Sequence, residues 1–423
     1  MNIKAEVYKM VKIELSNSIK ELHFQYCKRY VNFKKDIDLY IDEKQLKKIN
    51  NLEKKYTLED IKNVHNEFIS FCENNLEEIA IGNPNRLKEI ITTVKSEYRV
   101  IDFMFEKNVT VYIDGELVKY SDVILEMYNY EGFTKFNSTS KGFLYRKEDK
   151  NIIFNNIKNN TEGLSDSTIN EFVELLYDRL NIKKQNIIKR IEEDKFYSYW
   201  NAYTFVFLID IKTCPYCNRQ YITPIFYDNG RMRADLDHFF PKSKYPYLSM
   251  SIYNLIPCCK FCNSSLKGKK EFDIDTINPY ESSIDDYIKF KFEILQNKEI
   301  DIKLENKNEC GSVKIDKYID IFKLEQQYKY HTNIVDELIC RKLMYSDEYI
   351  EDIRKYFEKK NLYISSQKIK EIAIGYITDN KNINKEPLSK LKRDVVNQMN
   401  GKIDILNEEE DILEYILKCL EIY

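Results

Sequence analysis

The chain of 423 residues and 50.9 kDa has room for two or three domains at roughly 150 residues each, which excludes a disulfide-stapled miniprotein. With 43% hydrophobic and 32% charged residues it can bury a core, so a wholly disordered chain is excluded too. A net charge of −3 argues against an indiscriminate basic nucleic-acid binder, but the charge is uneven: residues 212–270 hold ten Lys or Arg against three Asp, and the rest of the chain is acidic.

From about residue 3 to residue 100 the apolar positions recur at helical spacing, as in Leu46, Ile49, Leu52 and then Ile61, Val64, Phe68, Phe71. Several helices are predicted there. Asp114-Gly115, flanked by Val109–Ile113 and Glu116–Tyr120, predicts a hairpin near 109–120, because both turn positions favour a left-handed backbone. Residues 121–163 carry Gly132, Gly142 and Gly163 and predict a loop-rich boundary. Helical periodicity resumes at Ser165-Asp166-Ser167, a predicted N-cap, and runs through Leu180 towards Trp200. Residues 1–200 are thus expected to be mostly helical.

The next stretch differs in kind. Six of the eight prolines fall between Pro215 and Pro279, so turns concentrate where the basic residues do. Beyond it, Tyr287–Ile294 and Ile300–Leu304 alternate and predict short strands, and helical spacing returns from Ile319. The expected division is 1–200, 205–280 and 281–423. The longest apolar run, Tyr203 to Ile209, falls short of the roughly 18 to 20 residues of a membrane span, and Lys9, Lys12 and Glu14 interrupt any signal-peptide core. A cytoplasmic chain without membrane contact is expected, its ten cysteines serving as reduced thiols or metal ligands rather than disulfides.

The central stretch holds Cys214-Pro215-Tyr216-Cys217, then Asp235-Leu236-Asp237-His238, then Asn254-Leu255-Ile256-Pro257-Cys258-Cys259-Lys260-Phe261-Cys262-Asn263. Two thiolates spaced by two residues can turn onto one metal, and two such knuckles complete a tetrahedral zinc site. Cys214, Cys217, Cys259 and Cys262 are the expected ligands, in preference to a looser pairing of Cys258 with Cys262. Asp228-Asn229-Gly230 predicts a hairpin between the knuckles, and Asn263-Ser264-Ser265 a helix start after them.

This order resembles the HNH nucleases of the ββα-metal type, in the zinc-bearing branch that includes the phage recombination endonuclease VII. Roughly residues 212–270 carry the resemblance, and Asn263 stands where many members have His. The phrases Cys214–Arg219 and Asp237–Pro246 are similar to large bacterial HNH proteins, among them nuclease subunits of anti-phage systems such as Septu, which work beside an ATPase. The implied fold is α+β: a mainly helical chain around a central zinc-stabilised, treble-clef-like nuclease domain.

The chemistry implied is hydrolysis of a phosphodiester, which needs an activated water and neutralised phosphate charge. His238 would be the general base. Asp237 and Asn263 would offer oxygens to a catalytic magnesium or manganese, separate from the structural zinc. Asn254 would hold the His-bearing loop through its amide. Asp235 shares a strand face with Asp237 and either tunes the metal or is solvated. Arg219, Lys242 and Lys244 are candidate phosphate contacts, with surface solvation the alternative. His23, His65 and His331 are expected to be packed or surface residues; Cys27, Cys72, Cys310, Cys340 and Cys419 are expected to be buried helix thiols. The expected substrate is DNA. RNA, such as a structured tRNA loop, is the alternative under the same mechanism, and a non-catalytic zinc-knuckle binding module is the alternative from another class. The acidic helical arms are expected to dock a partner protein, such as an ATPase, or a second copy.

Overall fold

The computed structural model describes residues 12–50, 55–134, 150–161, 163–179, 200–209, 211–227, 230–272, 274–295, 299–307, 315–377 and 383–401. The architecture is α+β and mostly helical, with small antiparallel sheets.

The first part contains α1 (Asn17–Tyr30), β1 (Leu39–Tyr40), α2 (Glu43–Ile49), α3 (Leu58–Asn74), α4 (Leu76–Ile81), α5 (Pro84–Glu97) and α6 (Arg99–Glu106). Local chemistry sets several of these boundaries. Thr57 and Asp60 form a reciprocal capping box at the start of α3, with Asp60 N donating to Thr57 Oγ1 at 3.1 Å and Thr57 N to Asp60 Oδ2 at 2.8 Å. Ile61, His65, Phe68, Ile69 and Cys72 then form the buried stripe of that helix. In α5, Asn83 caps and Pro84 fills a first-turn position that needs no amide hydrogen.

The hairpin predicted near 109–120 is β2 (Thr110–Ile113) with β3 (Glu116–Lys119), turned by Asp114 at φ 49° and Gly115 at φ 83°, and β1 adds a third strand on β2. The boundary expected after it is helical as far as residue 134: α7 (Tyr120–Met127) and α8 (Tyr130–Thr134) follow directly, and Gly132 lies within α8. Buried Tyr120, Ile124 and Met127 supply the helical spacing that the glycines obscured. Residues 135–149, with Gly142, lie outside the described residues. Then come α9 (Lys150–Asn160), α10 (Asp166–Arg179), capped by Ser165, and α11 (Ala202–Leu208), which packs on α8 and α10.

The central part is built on β4 (Ile225–Tyr227) paired with β5 (Gly230–Met232), and β6 (Asp235–His238) paired with β7 (Leu255–Cys258). A π-helical segment, Phe261–Lys267, follows the second knuckle. β8 (Ile288–Ile294) and β9 (Ile300–Asn306) form the next hairpin. The remainder is helical: α12 (Ile315–Phe322), α13 (Leu324–Tyr328), α14 (Thr332–Met344), α15 (Asp347–Glu358), α16 (Ser366–Lys370), a π-helical turn Glu371–Gly375, and α17 (Ser389–Gly401).

The three parts share one connected apolar core, from Ile13 to Met399. Polar bonds cross between them as well. Ile13 N donates to Pro279 O at 2.9 Å, and Lys88 pairs with Glu281 at 3.1 Å. On the C-terminal side, α17 is pinned by a buried charge cluster: Lys390 Nζ lies 2.8 Å from Asp285 Oδ1 and 2.7 Å from Asp394 Oδ2, and Arg393 Nη2 lies 2.5 Å from Asp285 Oδ1. Asp394 also accepts from Phe290 N of β8 at 2.9 Å.

Cys27 and Cys72 are buried free thiols, as expected. Cys340, expected as a thiol, is instead disulfide-bonded. Cys310 and Cys419 also lie outside them. Among the described residues no helix is long and apolar enough to cross a membrane.

Candidate metal centre and histidine site

The first knuckle is a tight turn closed by backbone bonds from Cys214 N to Gln220 O (2.9 Å) and from Asn218 N to Cys214 O (2.7 Å). Asn218 reverses the chain at φ 49°, a left-handed conformation that Asn tolerates better than most residues. The second knuckle starts where β7 ends, and Cys262 N donates to Cys259 Sγ at 3.4 Å. All four sulfurs of Cys214, Cys217, Cys259 and Cys262 lie within 4.8 Å of one another, Cys217 and Cys259 at 4.0 Å, and all four residues are buried. Zn–S bonds of about 2.3 Å in a tetrahedron place sulfurs about 3.8 Å apart, so the spacing fits. Burial pushes the Cys214 thiol well above its ordinary value, which leaves a thiolate there dependent on a cation. These four cysteines could hold a metal ion such as zinc. Cys258 is buried but outside the cluster, because it closes β7 opposite Asp235.

The C-terminal helices grip the first knuckle from outside. Tyr318 Oη donates to Tyr216 O at 3.1 Å and Tyr328 Oη to Cys217 O at 2.6 Å. The Asn218 side-chain oxygen accepts from Lys390 N at 3.1 Å, capping α17 from a distant part of the chain. No local pattern marks these residues.

Strand β6 carries Asp237 and His238 to opposite faces. Asp237 is turned inward with a donor on each oxygen: Tyr216 Oη donates to Oδ2 at 2.6 Å and Lys267 Nζ to Oδ1 at 2.6 Å. Lys267, itself buried, also donates to His238 O at 2.7 Å and lies over the Phe272 ring. Asn263 does not meet Asp237; its Nδ2 donates to Asp235 Oδ2 at 3.1 Å. Two residues apart on β6, Asp235 and Asp237 both reach the π-helical segment, one at its start and the other at its end.

His238 Nε2 lies 3.0 Å from Ser249 O. A carbonyl only accepts, so Nε2 carries the proton and Nδ1 keeps its lone pair. Burial lowers the imidazole pKa to about 3, with Lys242 and Lys267 adding to the effect and the Ser249 bond opposing it, so the ring is neutral near pH 7. Asn254 closes the loop between β6 and β7: its Oδ1 accepts from Phe240 N at 2.7 Å, and its Nδ2 donates to Phe240 O at 3.1 Å and Leu248 O at 3.0 Å. The N-terminal part holds the same loop, since His23 Nε2 lies 2.6 Å from Met250 O and Trp200 Nε1 donates to His23 Nδ1 at 3.2 Å. It also walls the histidine. Tyr130 of α8 stands edge-on to the His238 ring at 4.6 Å, and exposed Lys242 lies 5.0 Å above the Tyr130 ring.

The other basic candidates have partners within the protein. Arg219 donates to His331 Nε2 at 2.9 Å and to Gln327 Oε1, and Lys244 pairs with Glu271 at 2.8 Å. The site thus includes Lys267, Tyr216 and Tyr130, which were not among the sequence candidates. Only Tyr216, inside the first Cys-x-x-Cys, had a position that could have drawn notice. Among the described residues, the four cysteines form the group of three or more metal-ligand side chains close enough to share an ion; Asp237 belongs to no such group. Comparison of the chain with protein-family models, curated proteins and solved structures finds no match.

Proposed function

We propose that this protein is a phosphodiester hydrolase acting on nucleic acid, with DNA the favoured substrate, and that His238 accepts the proton of the attacking water at Nδ1. The observation that carries this reading is the His238 geometry. One ring nitrogen is committed to Ser249 O, the other has no hydrogen-bond partner among the described residues, and the loop bearing the ring is closed by Asn254 beside a four-cysteine cluster. An imidazole fixed in one tautomer meets the geometric requirement of a general base, and the negative charge of a bound phosphate would have to offset the burial that disfavours its protonated form. Lys242 at the rim supplies positive charge for a phosphate, and Tyr130 limits how the ring can turn. The four cysteines would hold the structural zinc, whose contribution is to fix both knuckles and so β6.

The catalytic magnesium or manganese expected at Asp237 and Asn263 does not fit the residues as they stand. Both Asp237 oxygens are engaged by Tyr216 and Lys267, and Asn263 faces Asp235. No step is therefore assigned to such a cation. The same observation favours the second reading, a zinc-knuckle nucleic-acid module without catalysis. An anti-phage role beside an ATPase partner is part of the proposal and rests on the resemblance of residues 214–219 and 237–246; a homo-oligomer is the other arrangement proposed for the helical parts.

The deciding test compares the full chain with His238→Ala on plasmid, single-stranded DNA and RNA, with magnesium or manganese present and with the ATPase partner supplied where one is known. His238→Ala should cut about 100-fold more slowly or worse, the usual loss for a general base, with zinc content and thermal midpoint unchanged. Equal cutting by the two proteins would sink the mechanism; binding without cutting by the wild type would select the second reading.

A further inference from the structure

A second basic feature lies behind the first knuckle, away from the residues assigned to chemistry. The two chain segments that flank the knuckle, joined by an isolated bridge between Thr213 and Tyr221, meet α16, the π-helical turn after it and the start of α17. Between them is a cleft of about 950 Å³ whose walls include Lys212, Lys368, Lys385 and Lys392, with Tyr221 on one side. Two carboxylates, Glu371 and Glu386, also line it. Lys368 is matched by Glu371 at 3.1 Å. Lys212, Lys385 and Lys392 make no ion pair among the described residues, so three ammonium groups face one cleft with one remaining carboxylate, Glu386. Tyr221 is 59% exposed, so its ring is accessible at the edge of the cleft.

Uncompensated lysines on a groove wall attract polyanions, because each phosphate they neutralise releases a condensed counterion. An exposed aromatic ring beside such a groove offers a stacking face that any base can use. We infer that the cleft formed by Lys212, Tyr221, Lys385 and Lys392 binds a single-stranded nucleic-acid segment, holding phosphates on the lysines and a base on Tyr221, as a site separate from His238. This inference rests on the nucleic-acid reading above and adds to it a retention site for the strand. It also gives the C-terminal helices a role: α17, clamped to Asn218, brings Lys392 to the knuckle.

The test is binding rather than cutting. Short labelled strands of DNA and of RNA are titrated with the full chain, with K212E/K385E/K392E and with Tyr221→Ala, each carrying His238→Ala so that no strand is consumed, between about 50 and 200 mM salt. The triple variant should bind at least about tenfold more weakly and flatten the log–log salt slope by about 2, at about 0.7 per lysine for single strands. Tyr221→Ala should weaken binding roughly tenfold with the slope unchanged, since stacking carries no counterions. Zinc content and thermal midpoint, unchanged in each, show that the fold is intact. Affinity and slope equal to the parent's in both variants would overturn the inference, and the preference between DNA and RNA arms names the strand. The two readings fail separately: intact binding by the triple variant with cutting lost in His238→Ala removes only the cleft, whereas lost binding with cutting intact in His238→Ala removes only the catalytic assignment. No binding by the parent to either strand removes both.

Discussion

Asp237 and the four cysteines lie in one small unit of knuckles and hairpins, and each places groups that can carry charge out of reach of water. Asp237 is neutralised from within the chain: Lys267 lies 2.6 Å from one oxygen, and Tyr216 donates to the other. The cysteines have no such cationic partner among the described residues; their sulfurs face one another within 4.8 Å, where thiolates would repel. The first region is complete as folded, and the second is a group of sulfurs that could hold a metal ion from solution. A buried carboxylate with a donor on each oxygen serves the fold, and the proposed chemistry falls to the neighbour on the opposite face, His238, whose Nδ1 has no hydrogen-bond partner among the described residues.

The contrast is broken most severely at the cysteines. Cys217→Ser should remove the metal site and unfold the segment, because a site of this kind contributes folding free energy directly, on the order of 10 kcal/mol in small zinc domains. Elemental analysis should find about one zinc per chain in the wild type and none in the variant or after chelation, with a fall in thermal midpoint. A zinc-free wild-type preparation that melts unchanged would show that the cluster, like Asp237, is complete without an ion.

The opposite region is tested at Lys267. Lys267→Met leaves the Asp237 carboxylate buried beside Tyr216 alone, and removing one partner of a buried pair costs about 3–5 kcal/mol. Urea unfolding should show that loss with zinc content unchanged, and Asp237→Leu combined with Lys267→Met should regain most of it, since two apolar groups leave no orphaned charge. A single-variant loss below about 1 kcal/mol would mean that water reaches the carboxylate, making Asp237 available to a cation after all.

These two regions also mark how far the sequence could be read. The cysteine cluster was legible because a Cys-x-x-Cys turn is local: Cys259 with Cys262 can close it, whereas Cys258 is committed to β7. The Asp114-Gly115 hairpin and the buried stripe of α3 were legible for the same reason, since their signals lie within a few residues. The Lys267 partnership spans 30 residues and the approach of Tyr130 to His238 spans 108. Neither leaves a periodic trace, because a polar pair across the fold needs only two residues of the right chemistry and no pattern around them. Asn263 shows the cost of that: the motif places it near the Asp-His strand, but the π-helical segment sets it against Asp235 rather than Asp237.

The smallest expected effect tests whether the N-terminal part holds the histidine loop through a neutral group. His23 is buried between Met250 O and Trp200, and burial lowers its pKa from 6.5 to about 4, against a smaller opposing effect of the Met250 bond. Above pH 6.5 the ring is neutral whether the chain is folded or not, so it has no pH-dependent effect on stability. As pH falls from about 6.5 towards about 4, the unfolded chain takes up a proton that the folded chain refuses, and stability is lost. At pH 5 the loss from this residue is about 2 kcal/mol, taking 1.36 kcal/mol per pH unit. His23→Gln keeps a polar amide but cannot titrate. Its stability deficit against wild type, measured by urea unfolding, should therefore shrink by about that amount between pH 7.5 and pH 5. A deficit that stays constant over this range would mean that His23 is protonated in the fold, with Trp200 no longer donating to Nδ1.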